Sequence, residues 1–145
     1  MKNTKIKSNE SNELRLTGAL NDLAVARSFV SKILSKSQFP KRSQHLLVLA
    51  VDEAVSRSVN ISDEYDLSLF VDVNETLFKV EVVDSNNDYA IDFTRNKFNG
   101  NWRNEQSKKD LSIFVILEIM DEVKYVYRRG FNNVLTLIKF VPAKD

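Results

Sequence analysis

Two runs of this chain, Asp66 to Val73 and Leu77 to Asp84, alternate apolar with polar residues and are separated by a turn at Asn74-Glu75. Period-2 alternation marks strands, and a connection this short joins them as an antiparallel hairpin. That hairpin constrains everything around it. Ahead of it, Leu14 and Leu16 suggest a short first strand before Thr17-Gly18. Leu23, Ala26, Val30, Ile33 and Leu34 then recur at helical spacing, with Asp22 near the start. Pro40 ends the following link, and residues 41–60 read as a longer helix with Leu46, Leu49, Ala50, Val55 and Val59 among its apolar positions. Behind the hairpin, residues 85–109 are polar and irregular, a length that inside a compact domain marks a lid or mobile loop. Leu111 to Val123 is apolar nearly all round and reads as a buried helix. Lys124 to Arg128 and Asn133 to Val141 close the chain as a hairpin around Gly130. Strand, two helices, two strands, lid, helix and two strands predict an α+β fold: a two-layer α/β sandwich with a mostly antiparallel sheet and helices on one face.

Length and composition bound the rest. A chain of 145 residues, 43% hydrophobic and 28% charged, makes one soluble globular domain with its own core. The start is polar, so residues 1–12 read as a disordered tail and 13–145 as the domain. No apolar run reaches the roughly 18 residues of a membrane span, and no signal peptide is visible. Cysteine is absent, which removes disulfides, thiolate catalysis and the commonest zinc sites. A cytoplasmic location is the expectation. With a net charge of +1, no global field points to nucleic acid or to an anionic membrane.

Three segments, in this order and spacing, resemble the anti-sigma-factor serine kinases of the histidine-kinase-like (GHKL) ATPase superfamily. Leu49-Ala50-Val51-Asp52-Glu53-Ala54-Val55 is similar to the helix whose glutamate precedes a metal-binding asparagine by four positions. Val80-Glu81-Val82-Val83-Asp84 is similar to the strand ending in the aspartate that reads the adenine amino group. Leu111 to Val123, closing in Met120-Asp121-Glu122-Val123, is like the helix after the lid. The resemblance covers Leu14 to Phe140 and implies the histidine-kinase-like ATPase fold. It also implies Glu53 as the candidate base toward a partner serine, and it is the only source for a possible homodimer.

The departures from that pattern fall on the nucleotide pocket. Arg57 stands at the metal-binding asparagine; a guanidinium offers five donors, no acceptor and a permanent charge. The Asp-x-Gly-x-Gly loop is here Asp84-Ser85-Asn86-Asn87-Asp88, with Asn86 tolerant of left-handed backbone and Asp88 adding a carboxylate. Ser107-Lys108-Lys109-Asp110 replaces a glycine-rich phosphate loop, and the chain holds 3 glycines in all, none beside these positions. Arg57, Asp84, Asn86, Asp88, Lys108 and Lys109 therefore mark an altered pocket, with no metal site and no cofactor expected.

On this reading the protein regulates by binding a sigma factor or a STAS-type antagonist, without normal Mg-ATP binding. The alternative is an ATP-dependent protein-serine kinase anti-sigma factor with an atypical pocket, and only then are ATP and magnesium cofactors. Simpler readings stand beside each residue. Glu53 and Arg57 make an i,i+4 pair, worth about 0.3–0.5 kcal/mol if exposed. Asp84 ends a strand and holds its own turn amides. His45 is a solvated helix residue, Phe98 and Trp102 anchor the lid, and Arg128-Arg129 belong to a hairpin surface.

Overall fold

A computed structural model describes residues 12–61, 65–85, 105–127 and 132–142. Five strands and three helices alternate as β1 (Asn12–Leu16), α1 (Asp22–Leu34), α2 (Lys41–Ile61), β2 (Leu67–Val73), β3 (Leu77–Asp84), α3 (Glu105–Ile119), β4 (Glu122–Val126) and β5 (Asn133–Phe140). The strands form one sheet in the order β1-β2-β3-β5-β4, every neighbouring pair antiparallel. The α+β sandwich read from the sequence is the architecture found.

The hairpin is closed by Asn74. Its Oδ1 accepts the Thr76 N–H and hydroxyl, each at 2.8 Å, and the Leu77 N–H at 3.0 Å. An asparagine side chain that satisfies its own turn amides fixes the register of the strands it joins. In that register Leu67, Leu69 and Val71 stand beside Asp84, Val82 and Val80, and β5 continues the row with Leu135 and Leu137. These residues are buried, while the alternate positions are half-exposed or exposed, so a single face of the sheet carries the core.

Helix α2 fills that face. Leu47, Ala50, Val51, Ala54, Val55 and Ser58 are all buried and recur at three- and four-residue steps along one stripe. Two alanines in the stripe let the helix axis approach the sheet, and α1 and α3 pack along the two flanks of α2. The expected register of this helix needs correction. Leu46 and Leu49 are 45% and 41% exposed, because each lies one residue, about 100° of rotation, from a stripe position. Helix α1 follows its expected pattern, burying Ala26, Val30 and Leu34 with Leu23 and Ile33 packed at the edge of the core.

The third helix also differs from expectation. It spans Glu105–Ile119 rather than 111–123. Its first residues, Glu-Gln-Ser-Lys-Lys-Asp, contain good helix formers with no apolar periodicity, so the sequence pattern starts only at Leu111. At the other end the sheet takes the chain over: the Met120 N–H still donates to Ile116 O at 3.0 Å, but the Asp121 N–H donates to Ile138 O at 2.9 Å. Glu122 and Val123 consequently belong to β4. Ile113, Ile116 and Met120 are buried, but Phe114 is exposed, so this helix is not covered all round. No described helix is long and apolar enough to cross a membrane.

The α2 register is tested by a pair of truncations read by urea denaturation. Leu47→Ala removes a core side chain and is expected to cost about 2–5 kcal/mol. Leu46→Ala, one residue away, is expected to change stability by no more than about 0.5 kcal/mol.

Candidate functional site

One end of the sheet gathers buried polar groups. Asp84 is the last residue of β3, on the inner face with Val80 and Val82, and is only 5% exposed. Its cross-strand neighbour on β5 is Asn133, 2% exposed, and on β2 it is Leu67. Asp84 and Asn133 are both engaged in polar or related contacts rather than left bare. Buried polar groups of this kind have to be satisfied, because an unmade hydrogen bond costs more than a made one contributes. The Ser85 N–H returns to Asp66 O at 3.0 Å, which holds the exit of β3 against the entry of β2.

Helix α2 brings Glu53 and Arg57 into the helix layer above this sheet, both half-buried. Four residues apart, they lie on one side of the helix with Cβ atoms about 5–6 Å apart. The Nε of Arg57 is fully buried, and the residue has further interactions of its own. Ser112 of α3, itself buried, donates its hydroxyl to Glu53 O at 3.5 Å. Ser58, one residue beyond Arg57, is buried in the core-facing stripe. Across the other flank Arg27 Nη1 meets Asp52 Oδ1 at 2.9 Å, tying α1 to α2.

The same sheet end is fastened by two carboxylates. Asp22 opens α1 and accepts the Gly18 and Ala19 N–H groups at 3.0 and 3.1 Å and the Tyr65 hydroxyl at 2.8 Å, all on Oδ2. The turn demands glycine at position 18, where φ is +112°. Burial, and then the Asp22 carboxylate that accepts its hydrogen bond, push the Tyr65 phenol up from its ordinary value. Asp66 takes a two-pronged contact from Arg15, Nε to Oδ1 at 3.0 Å and Nη2 to Oδ2 at 2.8 Å. That hydrogen-bonded guanidinium holds the Asp66 carboxyl below the usual carboxylate range.

Of the residues marked in the sequence, Glu53 and Arg57 fall on α2, and Asp84 falls at the terminus of β3, a strand that α2 contacts. Asn86 and Asp88 lie outside the described residues, as do Phe98 and Trp102. Lys108 and Lys109 are inside α3, not in a loop before it, and their side chains lie outside the described set. Asn133, Ser112 and Ser58 escaped notice. The signal for Asn133 was its parity: it occupies an inward position of an alternating strand, two residues before Leu135.

In chemical terms the site sets a carboxylate beside an amide at the buried end of two interior strands, which offers acceptors and a donor together. The helix side is different. Arg57 has no lone pair for a metal, and its charge repels one. Among the described residues no group of three or more His, Asp or Glu stands together to hold an ion.

A five-stranded antiparallel sheet layered by three helices, with an acidic residue closing its central strand, is an α+β two-layer sandwich. Residues 16–139 match the histidine kinase-like ATPase domain, and the chain belongs to that family. No curated protein matches the chain.

The Arg15–Asp66 contact gives the fold a pH signature. Because the folded carboxyl titrates below its unfolded value, the stabilisation is present above about pH 4 and is lost as pH falls through the lowered folded value. Arg15→Gln should therefore be less stable than the parent at neutral pH, with the difference shrinking toward about pH 2 in urea melts. An equal difference at both pH values would assign the effect of Arg15 to packing alone.

Proposed function

We propose that this chain is an anti-sigma-factor-like regulator that acts by protein–protein binding, holding a sigma factor or a STAS-type antagonist without normal Mg-ATP binding. The observation that carries this reading is Arg57, half-buried on α2 one turn beyond Glu53, where the resemblance calls for a metal-binding asparagine. Magnesium demands oxygen ligands at short range and keeps its waters reluctantly exchanged, so a guanidinium in that position opposes the ion rather than holding it.

The remaining support is what the chain retains. The core, the sheet register and the α2–α3 junction through Ser112 and Glu53 supply a packed platform for a partner. On such a platform partner exchange follows from competition between surfaces, and no phosphoryl step enters. A second reading, the serine kinase with an atypical pocket, draws on Asp84 and Asn133: a buried carboxylate beside a buried amide is the part of the site best suited to an adenine edge.

Isothermal titration of the parent and of Arg57→Asn with ATP and ADP, each with and without magnesium, separates the two. No heat is expected for the parent in any of the four titrations, and a gain in Mg-ATP affinity of about tenfold or more is expected for Arg57→Asn. Magnesium-dependent binding by the parent in the micromolar range would overturn the proposal and favour the kinase.

A further inference from the structure

A second cleft lies at the far end of the sheet. It opens between the C-terminal half of α1 and the β2–β3 turn, with a volume of about 630 Å³. From Asp84 back to Leu77 the chain runs the full length of β3, about 24 Å at strand spacing, so this cleft is separate from the buried polar end. Its floor is apolar. Phe29 and Ile33, one turn apart on α1, meet Val73 and Leu77 from the hairpin.

The rim is mostly cationic. Lys32 and Lys36 line it from α1 and the turn after it, and Lys79 lines it from β3. The one carboxylate on the lining, Asp72, is the cross-strand partner position of Lys79, which leaves the Lys32–Lys36 side uncompensated. Among the described residues no ion pair takes up Lys32, Lys36 or Lys79. A lysine in the last turn of a helix suits the helix dipole, and that accounts for Lys32. It does not account for three lysines from α1, the turn after it and β3 all lining one cleft in a chain whose net charge is only +1.

We infer that this cleft docks an acidic segment of a partner protein, one with an aromatic or branched aliphatic anchor flanked by Asp or Glu. The floor takes the anchor and Lys32, Lys36 and Lys79 take the carboxylates. The rim favours a protein segment over a small anion for a physical reason. It offers flexible point charges, whereas tight phosphate sites use converging backbone N–H groups or the planar fork of arginine. Carboxylates spaced along a chain match such a rim, and apolar contact with the floor supplies what exposed ion pairs cannot. The inference does not depend on whether the other end of the sheet binds nucleotide.

The test is a titration of the full, nitrogen-15-labelled chain with the peptide Glu-Leu-Glu-Phe-Asp-Leu-Glu, followed by amide shifts. Shifts at Lys32, Ile33, Lys36, Leu77 and Lys79 are expected. The dissociation constant should rise about tenfold or more for the peptide with every acid changed to its amide, and equally for the Lys32→Glu/Lys36→Glu double variant. Lys41→Glu, the same kind of charge reversal at an exposed position on α2, should leave it within about twofold. Both lysines of the double variant are exposed, so its fold is expected to persist, which its amide spectrum reports. Absence of binding, shifts at the Asp84 end, an unchanged constant in the double variant, or tripolyphosphate binding in the same cleft as tightly as the peptide would each overturn the inference. Shifts in these residues that track protein concentration without peptide would also overturn it, by assigning the cleft to a second copy.

Discussion

Everything in this fold leans on the seat of α2 against the sheet. The stripe Leu47, Ala50, Val51, Ala54, Val55 and Ser58 is buried along about three helical turns, and its two alanines keep the helix close. Because α2 is the middle helix, α1 and α3 are positioned against its flanks rather than against each other. The side of α2 turned away from that stripe is then set by geometry. Glu53 and Arg57 are carried by the same rotation that buries Ala54 and Ser58, so the chemistry of the helix layer is a consequence of core packing.

The two ends of the sheet differ in their chemistry. At the Asp84 end, polar groups are tied down: Asp22 gathers two amides and a phenol, Asp66 is clasped at the surface by Arg15, and Asp84 lies buried beside Asn133. Such an end is rigid, because each buried polar atom restricts its neighbours. At the hairpin end the charges are exposed and flexible, over an apolar floor left open. Rigid preorganisation suits recognition of a compact ligand edge, while a soft charged rim suits a chain of another protein. The cleft at the hairpin end is thus chemically distinct from the buried polar end.

How far the sequence is legible depends on where each residue's surroundings come from. The strands and the hairpin were readable because burying one face imposes a period of two, and Asn74 marks the turn by its own hydrogen bonds. The rotation of α2 was ambiguous: Leu46 and Leu47, like Leu49 and Ala50, place apolar residues on adjacent sides, and only contact with the sheet selects one. The start of α3 was hidden, since Glu105 to Asp110 form helix without an apolar stripe. Glu53, Arg57 and Asp84 were legible from their motif. Ser112 was not, because a polar residue at an inward position leaves no trace in hydrophobic periodicity, and Asn133 showed only in its parity with Leu135. The lysine cleft was least legible of all; Lys36 and Lys79 come together only through the packing of α1 on the sheet.

The central claim is that the cationic side chain on α2 leaves no place for a metal-bound nucleotide. Manganese substitutes for magnesium beside ATP and broadens the resonances of amides near it. Titrating manganese into the labelled protein with ATP present should leave the amides of Glu53 to Arg57 and of Val83 to Ser85 at full intensity relative to the rest of the chain. Selective loss of those signals would contradict the account, because it would put the metal and its nucleotide beside Arg57.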